Sequence, residues 1–331
     1  MAEKLKFAFY WAASCGGCEI AVLDINEKIL DVVGIADIVF WPVAMDIKYH
    51  HVESFPDKHI DVCFFNGSVR TEEQEHLAKL LRRKSKTLVA FGACAHMGSV
   101  PGLANLSSRA EVFETAYHWS PSTINTDHKE PQTRFSAPEG ELTLPAFYDT
   151  VKTLDQTVDV DYYLPGCPPP PELIVQAVEA IASGTLPEKG TVLAPTKSLC
   201  DECERRTEEL KKITEIKRPY QIVADPKKCF LEQGIICYGP ATRAGCNARC
   251  IKGNFPCTGC MGPTPGVLDQ GAKMMGALTS ILGLDGEDRM SDADVQKLID
   301  QIEDPIGTFY MYSLPGSLLR RKVLRGEKSD D

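Results

Sequence analysis

Histidine is missing from most of the chain. All 7 histidines lie at or before His128, and the stretch from there to Asp331 has none. Nothing in that stretch can use an imidazole as a metal ligand or a general base. Basic residues are also in deficit. The 36 lysines and arginines face 46 aspartates and glutamates, a net charge of −10. This excludes the basic face that a nucleic-acid binder carries. Long apolar runs are lacking too. The longest stretch free of charge, Thr87 to Ser108, is interrupted by Gly92, His96, Gly98, Pro101, Gly102 and Asn105, so it reads as no membrane span. There is no repeat of fixed period and no low-complexity tract. The 25 glycines and 22 prolines are ordinary for 331 residues, which excludes collagen-like and disordered classes. The start has no export signature. Acidic Glu3 sits where a basic n-region would be, the apolar run Phe7 to Ala13 is short, and no twin arginine precedes it. The expected compartment is the cytoplasm, where disulfides are rare.

Cysteine is what the chain has in abundance. Of 13 cysteines, eight fall between Cys200 and Cys260: Cys200, Cys203, Cys229, Cys237, Cys246, Cys250, Cys257 and Cys260. In a reducing compartment such a cluster reads as thiolate–metal sites.

The length predicts two domains. In the first, short apolar runs alternate with amphipathic segments. Lys6–Trp11, Ala36–Trp41, Val62–Asn66, Thr87–Phe91 and Asp159–Leu164 read as strands. Glu19–Val33, Thr71–Lys84 and Pro171–Ala182 read as helices. The alternation predicts a doubly wound α/β fold, a parallel sheet covered on both faces. Residues 100–158 interrupt it as a long insertion of weak periodicity, either a docking surface or a plain excursion. Thr191–Lys197 reads as a linker, which divides the chain into 1–190 and 191–331. The second part shows little periodicity before the amphipathic pieces Gly266–Leu282 and Ser291–Ile302. It is expected to fold around metal more than around a conventional core. The charged tail Arg320–Asp331 reads as frayed.

Four thiols of the first part sit at strand ends. Cys15 and Cys18 form Cys-Gly-Gly-Cys after strand one, Cys94 follows strand four, and Cys167 follows strand five in Gly-Cys-Pro-Pro. The carboxyl ends of parallel strands share one rim, so these four can converge there. Gly16, Gly17, Gly92, Gly98 and Gly166 let backbone approach a bulky inorganic group. Four thiolates suit either a cubane iron–sulfur cluster or zinc. The eight later thiols make two more four-thiolate sites, and spacing alone does not separate iron–sulfur from zinc. The thirteenth, Cys63, lies inside strand three and reads as a buried apolar side chain. His50-His51 reads as a solvated turn. His96, in the Cys94 loop, reads either as a donor that tunes a cluster or as a surface side chain.

Cys15-x-x-Cys18, Gly-x-Cys94-x-x-x-Gly-Ser and Gly-Cys167-Pro-Pro together resemble the small subunit of [NiFe]-hydrogenases over nearly the whole chain. They also resemble the related cluster-bearing subunit of respiratory complex I. The resemblance implies a flavodoxin-like first domain and a smaller, mostly irregular or helical iron–sulfur domain. It implies that Cys15, Cys18, Cys94 and Cys167 hold a proximal [4Fe-4S] cluster. Cys200, Cys203, Cys229 and Cys237 resemble distal-cluster ligands, and Cys246, Cys257 and Cys260 medial ones. Three positions depart from the family pattern. Cys200 stands where exported members carry histidine, and Ser99 stands in place of glycine. Cys250 stands where they often carry proline, and it supplies a fourth medial thiolate. Three [4Fe-4S] clusters are therefore expected. No residue here is expected to be catalytic. The implied role is electron transfer from the nickel–iron site of a separate large subunit.

Pro42-Val-Ala-Met-Asp-Ile-Lys-Tyr49 and Pro101-Gly-Leu-Ala-Asn-Leu106 are similar to the methyl-viologen-reducing type. That type implies a small delta-type iron–sulfur subunit and heterodisulfide reductase as partners, a cytoplasmic location and no membrane anchor. A small subunit of the deazaflavin-coenzyme-reducing type is the alternative. A zinc-structured binding module is a rival of a different class. A complex I counterpart needs only one cluster, so the eight extra thiols speak against it.

Overall fold

In the computed structural model, residues 3–205, 213–282 and 291–322 are described. Strands β1 (Leu5–Trp11), β2 (Ala36–Phe40), β3 (Ile60–Asn66), β4 (Ser85–Phe91) and β5 (Tyr162–Leu164) form one parallel sheet. Their spatial order, β2-β1-β3-β4-β5, is that of a flavodoxin-like sheet. The strands are apolar at nearly every position because both faces are covered. Side chains alternate between those faces. Phe7, Phe9, Val62, Phe64, Val89 and Phe91 pack with Ala21, Val22, Leu173, Ile174 and Ala177 of helices Gly17–Leu23 and Pro171–Ser183. Ala8, Tyr10, Cys63, Phe65, Leu88 and Ala90 pack with Leu77, Ala78, Leu80 and Leu81 of helix Glu72–Lys84. Cys63 is fully buried, as expected.

The Glu19–Val33 segment is not one helix. It breaks into Gly17–Leu23, a turn at Asn26–Lys28 and Ile29–Ile35. Asn26 adopts a φ of 55°, a left-handed conformation that asparagine tolerates and a helix does not. The insertion is ordered in short pieces, which is why it shows no long period. It carries a helix at Arg109–Glu114, a hairpin of Arg134–Ala137 with Gly140–Thr143, and the strand Phe147–Lys152. That last strand pairs antiparallel with Val69–Thr71. Residues 191–197 are hydrogen-bonded to both parts of the chain. Leu193 N–H donates to the Tyr163 carbonyl at 2.8 Å, and Arg243 Nη1 donates to the Pro195 carbonyl at 3.2 Å.

The cysteine-rich part has an apolar core of its own, contrary to the expectation of a fold resting mainly on metal. Leu199, Phe230, Leu231, Ile235, Tyr238, Ile251, Met274, Leu278, Phe309 and Leu314 are buried together. Met274 and Leu278 come from the helix Gln270–Ile281, and most of the others come from short turns and loops that carry no periodic stripe. Helices Gln270–Ile281 and Asp292–Ile299 occur near the expected positions, and Pro305–Tyr310 adds a further one. The segment after it returns to the first part. Pro315 rests on Gly98 and Gly102, where any Cβ would overlap its ring. Asn105 Nδ2 donates to the Arg320 carbonyl at 2.9 Å, so Arg320–Lys322 is held, whereas 323–331 lies outside the described residues. Among the described residues no helix is long and apolar enough to cross a membrane.

Candidate metal centre

Three loops at the carboxyl rim of the sheet carry the first thiol set. Cys15 and Cys18 follow β1, and Gly16 turns the chain between them at φ 82°. Cys94 opens the short helix after β4. Cys167 follows β5. The Ala93 N–H donates to the Gly166 carbonyl at 2.7 Å and locks two of these loops together. Burial raises the pKa values of Cys18, Cys94 and Cys167, and like-charge repulsion within the set, Cys15 included, raises them further. Gly92 is required by space as well as by its φ of 87°, because a Cβ there would overlap Cys18 Sγ.

The later thiols interact with one another unevenly, and Cys257 has Cys237 as well as Cys260 beside it. Cys200, Cys203, Cys229 and Cys237 interact pairwise in every combination. Cys260 joins Cys246, Cys250 and Cys257 into the remaining set. This set touches both others. The Cys167 N–H points at the Cys260 thiol. The Cys257 N–H lies 3.4 Å from Cys237 Sγ. The three sets therefore form a continuous row.

Burial dominates the electrostatics of the row. It pushes the thiols of Cys94, Cys200 and Cys260 up to about 12 and that of Cys237 up to about 11. Backbone N–H groups oppose it. Leu231 and Glu232 donate to Cys229, Gly239 and Cys257 to Cys237, and Ala248 and Arg249 to Cys246. Such thiols keep their protons unless a metal cation draws them off, while the N–H groups are placed to favour thiolate. Among the described residues no three His, Cys, Asp or Glu side chains converge tightly enough for a single ion. The donor chemistry and the glycine-cleared space fit a sulfur-ligated group wider than one ion.

These features find counterparts in known proteins. Residues 15–181 match the family described as NADH ubiquinone oxidoreductase, 20 Kd subunit. The iron-sulfur subunit of the F420-non-reducing hydrogenase of Archaeoglobus profundus is 41% identical over 330 residues, covering 97% of this chain and 99% of that protein. The chain belongs to this family of hydrogenase small subunits. Its resemblance is to the methyl-viologen-reducing type, and the corresponding F420-non-reducing hydrogenase chain of Methanothermobacter thermautotrophicus is 36% identical over 99% of this chain and 100% of that one. The fold also matches the [NiFeSe] hydrogenase of Desulfovibrio vulgaris Hildenborough, with a TM-score of 0.50 and 17% identity over 80% of this chain and 95% of that one.

Glu19 and Glu202, both next to thiols, were not singled out in the sequence. Glu19, directly after Cys18, is buried. Its carboxylate accepts hydrogen bonds from the Trp41 indole and from Asn66 Nδ2 at 3.3 Å, and burial raises its pKa. Glu202 accepts from the N–H groups of Gly245 and Asn247 at 2.9 and 3.0 Å, tying the Cys203 turn to the Cys246 loop. His96 is no surface side chain. Its ring lies 4.7 Å from that of Tyr163, and burial pulls its pKa down to about 4, so it is neutral. His50 and His51 sit exposed on the helix Tyr49–Ser54, where His51 Nδ1 accepts from the Lys48 N–H at 3.0 Å.

Proposed function

We propose that this chain is the electron-carrying small subunit of a cytoplasmic [NiFe]-hydrogenase with three [4Fe-4S] clusters. Cys15, Cys18, Cys94 and Cys167 hold the proximal one, Cys246, Cys250, Cys257 and Cys260 the medial one, and Cys200, Cys203, Cys229 and Cys237 the distal one. When bound, the clusters supply one-electron transfer between the nickel–iron site of the large subunit and an outer acceptor. The acceptor in this reading is a small delta-type iron–sulfur subunit that delivers to heterodisulfide reductase. The boundary near residue 190 separates the part that holds the proximal site from the part that holds the other two.

The observation that carries the proposal is the continuity of the thiol row, with Cys260 against Cys167 at one end of the middle set and Cys257 against Cys237 at the other. A relay needs its stations adjacent, and scattered structural metal sites do not. The protein's own contribution is to bury Cys18, Cys94, Cys237 and Cys257 and to aim backbone N–H groups at Cys229, Cys237 and Cys246. All-thiolate ligation favours low potentials, which suit electrons near the hydrogen couple.

Anaerobically purified chain is expected to be brown with about twelve iron atoms, the content of three cubanes. Colourless protein with about three zinc atoms would refute the reading. Changing Cys250 to Ala is expected to convert one cubane signal into a three-iron signal by electron paramagnetic resonance. An unchanged inventory removes Cys250 from the ligands.

A further inference from the structure

His128 is the last histidine of the chain, and the fold brings it onto another. It lies in the long insertion, between the helical turn Thr115–Trp119 and the hairpin that starts at Arg134. Asn125 pins this loop down. Its Nδ2 donates to the carbonyls of Tyr117 at 3.1 Å and Lys129 at 2.8 Å, and its Oδ1 accepts from the Lys129 N–H at 2.9 Å. His128 itself takes a φ of 48°, uncommon for a residue with a side chain. So placed, His128 Nδ1 stands 3.3 Å from His118 Nδ1. The ring centroids are farther apart, at 5.2 Å, so the two Nδ1 corners are turned toward each other. On its other side, His118 Nε2 lies 2.8 Å from Glu130 Oε1. A carboxylate only accepts, so Nε2 carries the proton of the neutral ring and Nδ1 keeps a lone pair facing His128.

Two imidazole nitrogens of a tetrahedral zinc site, each about 2.0–2.1 Å from the ion, stand about 3.3 Å apart. That is the separation of these two atoms. The carboxylate behind His118 completes the pattern of a metal-bound histidine, whose second ring N–H is held by an oxygen acceptor. We propose that His118 and His128 bind one zinc-type divalent cation through their Nδ1 atoms, with Glu130 as the positioning residue that fixes the His118 tautomer. Among the described residues no third His, Cys, Asp or Glu joins them, so water fills the remaining positions and the ion exchanges with solvent. Entry is open, since the side chains of His118 and Glu130 are 20% and 43% exposed. The ion clips together the two ends of the loop 119–127. The site uses none of the thiols and stands apart from the cluster assignment.

The test is calorimetric titration of zinc chloride into the iron-loaded chain with its large subunit, under anaerobic conditions. Wild type is expected to bind one zinc more per small subunit than the double variant His118→Gln, His128→Asn. Asparagine is chosen at 128 because it tolerates the left-handed backbone. His118→Gln alone gives the same readout should the double variant fold poorly. Glu130→Gln is expected to weaken this binding about 10–100-fold. Zinc K-edge absorption of the added ion should show nitrogen or oxygen at about 2.0–2.1 Å and no sulfur at about 2.3 Å. Equal stoichiometry and affinity in wild type and the histidine variants overturn the proposal. Sulfur around the added ion does so too, because it would place zinc on thiols. Wild-type affinity in Glu130→Gln removes the positioning role of Glu130. Iron content, expected at the wild-type value in every variant, reads the cluster assignment separately.

Discussion

At Gly92 the room that a methyl group would need is already taken by Cys18 Sγ, and φ is 87°. Gly92→Ala is therefore expected to cost the chain the first thiol set. Iron content should fall by about a third, one cubane in three, with the remaining signals intact. Full iron loading of this variant would show that the thiols do not close around Gly92. Asp161 tests the electrostatics away from the thiols. Burial raises its pKa, but Arg82 Nη1 at 2.5 Å, Lys189 Nζ at 2.6 Å and the Leu88 N–H at 2.8 Å outweigh that and hold it below the ordinary carboxylate value. The folded chain therefore binds fewer protons at this site than the unfolded chain as acid is added. The stabilisation is present at neutral pH and is lost as pH falls through the lowered pKa. Asp161→Asn should destabilise the sheet by about 2 kcal/mol near neutrality. The gap to wild type should narrow in urea melts below about pH 4. A gap of constant size down to about pH 3 would contradict the assignment.

Among the elements, helix Glu72–Lys84 was the most legible. Thr71 Oγ1 accepts from the Gln74 N–H at 3.3 Å and Gln74 Oε1 accepts from the Thr71 N–H at 3.1 Å, a capping box visible as Thr-x-x-Gln. Thr71→Ala should cost about 1 kcal/mol, read from the melting of the sheet and without effect on iron content. The strands were legible for a similar reason, since burial on both faces leaves a local apolar run. The strap at Tyr312–Gly316 was not. It seats Pro315 on Gly98 and Gly102, and nothing near residue 315 in sequence encodes that contact. Gly102→Ala pushes a methyl group into the Pro315 ring. It should displace the strap and expose the Cys94 loop, seen as faster amide exchange at residues 94–99. Exchange equal to wild type would show that the strap does not cover the loop.

On the scale of the whole molecule, the cysteine-rich part has an apolar cluster of its own, while its Met261 is buried in the cluster of the sheet. Removal of iron is expected to act on the two parts unequally. Amides of β1 to β5 should keep their protection, while those of Cys229–Cys260 should exchange faster, because the loops there carry six of the eight later thiols. Simultaneous loss of protection throughout would mean that the two parts share one cooperative unit. The strap and the hydrogen bonds at Asn105 join the parts, so the boundary near residue 190 is crossed by the returning C-terminal segment.

Sequence alone determined the parallel α/β sheet and placed Cys15, Cys18, Cys94 and Cys167 on its rim. Strand burial and helix periodicity are local, and parallel strands bring their carboxyl ends to the same side. It also supplied the grouping of the remaining thiols, through resemblance to a family. Only the tertiary structure decided that the middle set contacts both of its neighbours, that Glu19 and Ser99 are buried and that His96 is half-buried. Those facts depend on segments far apart in the chain, such as Cys167 with Cys260 and Ser99 with Tyr312. Contacts at such separations arise from chain folding and leave no periodic trace in the residues that make them.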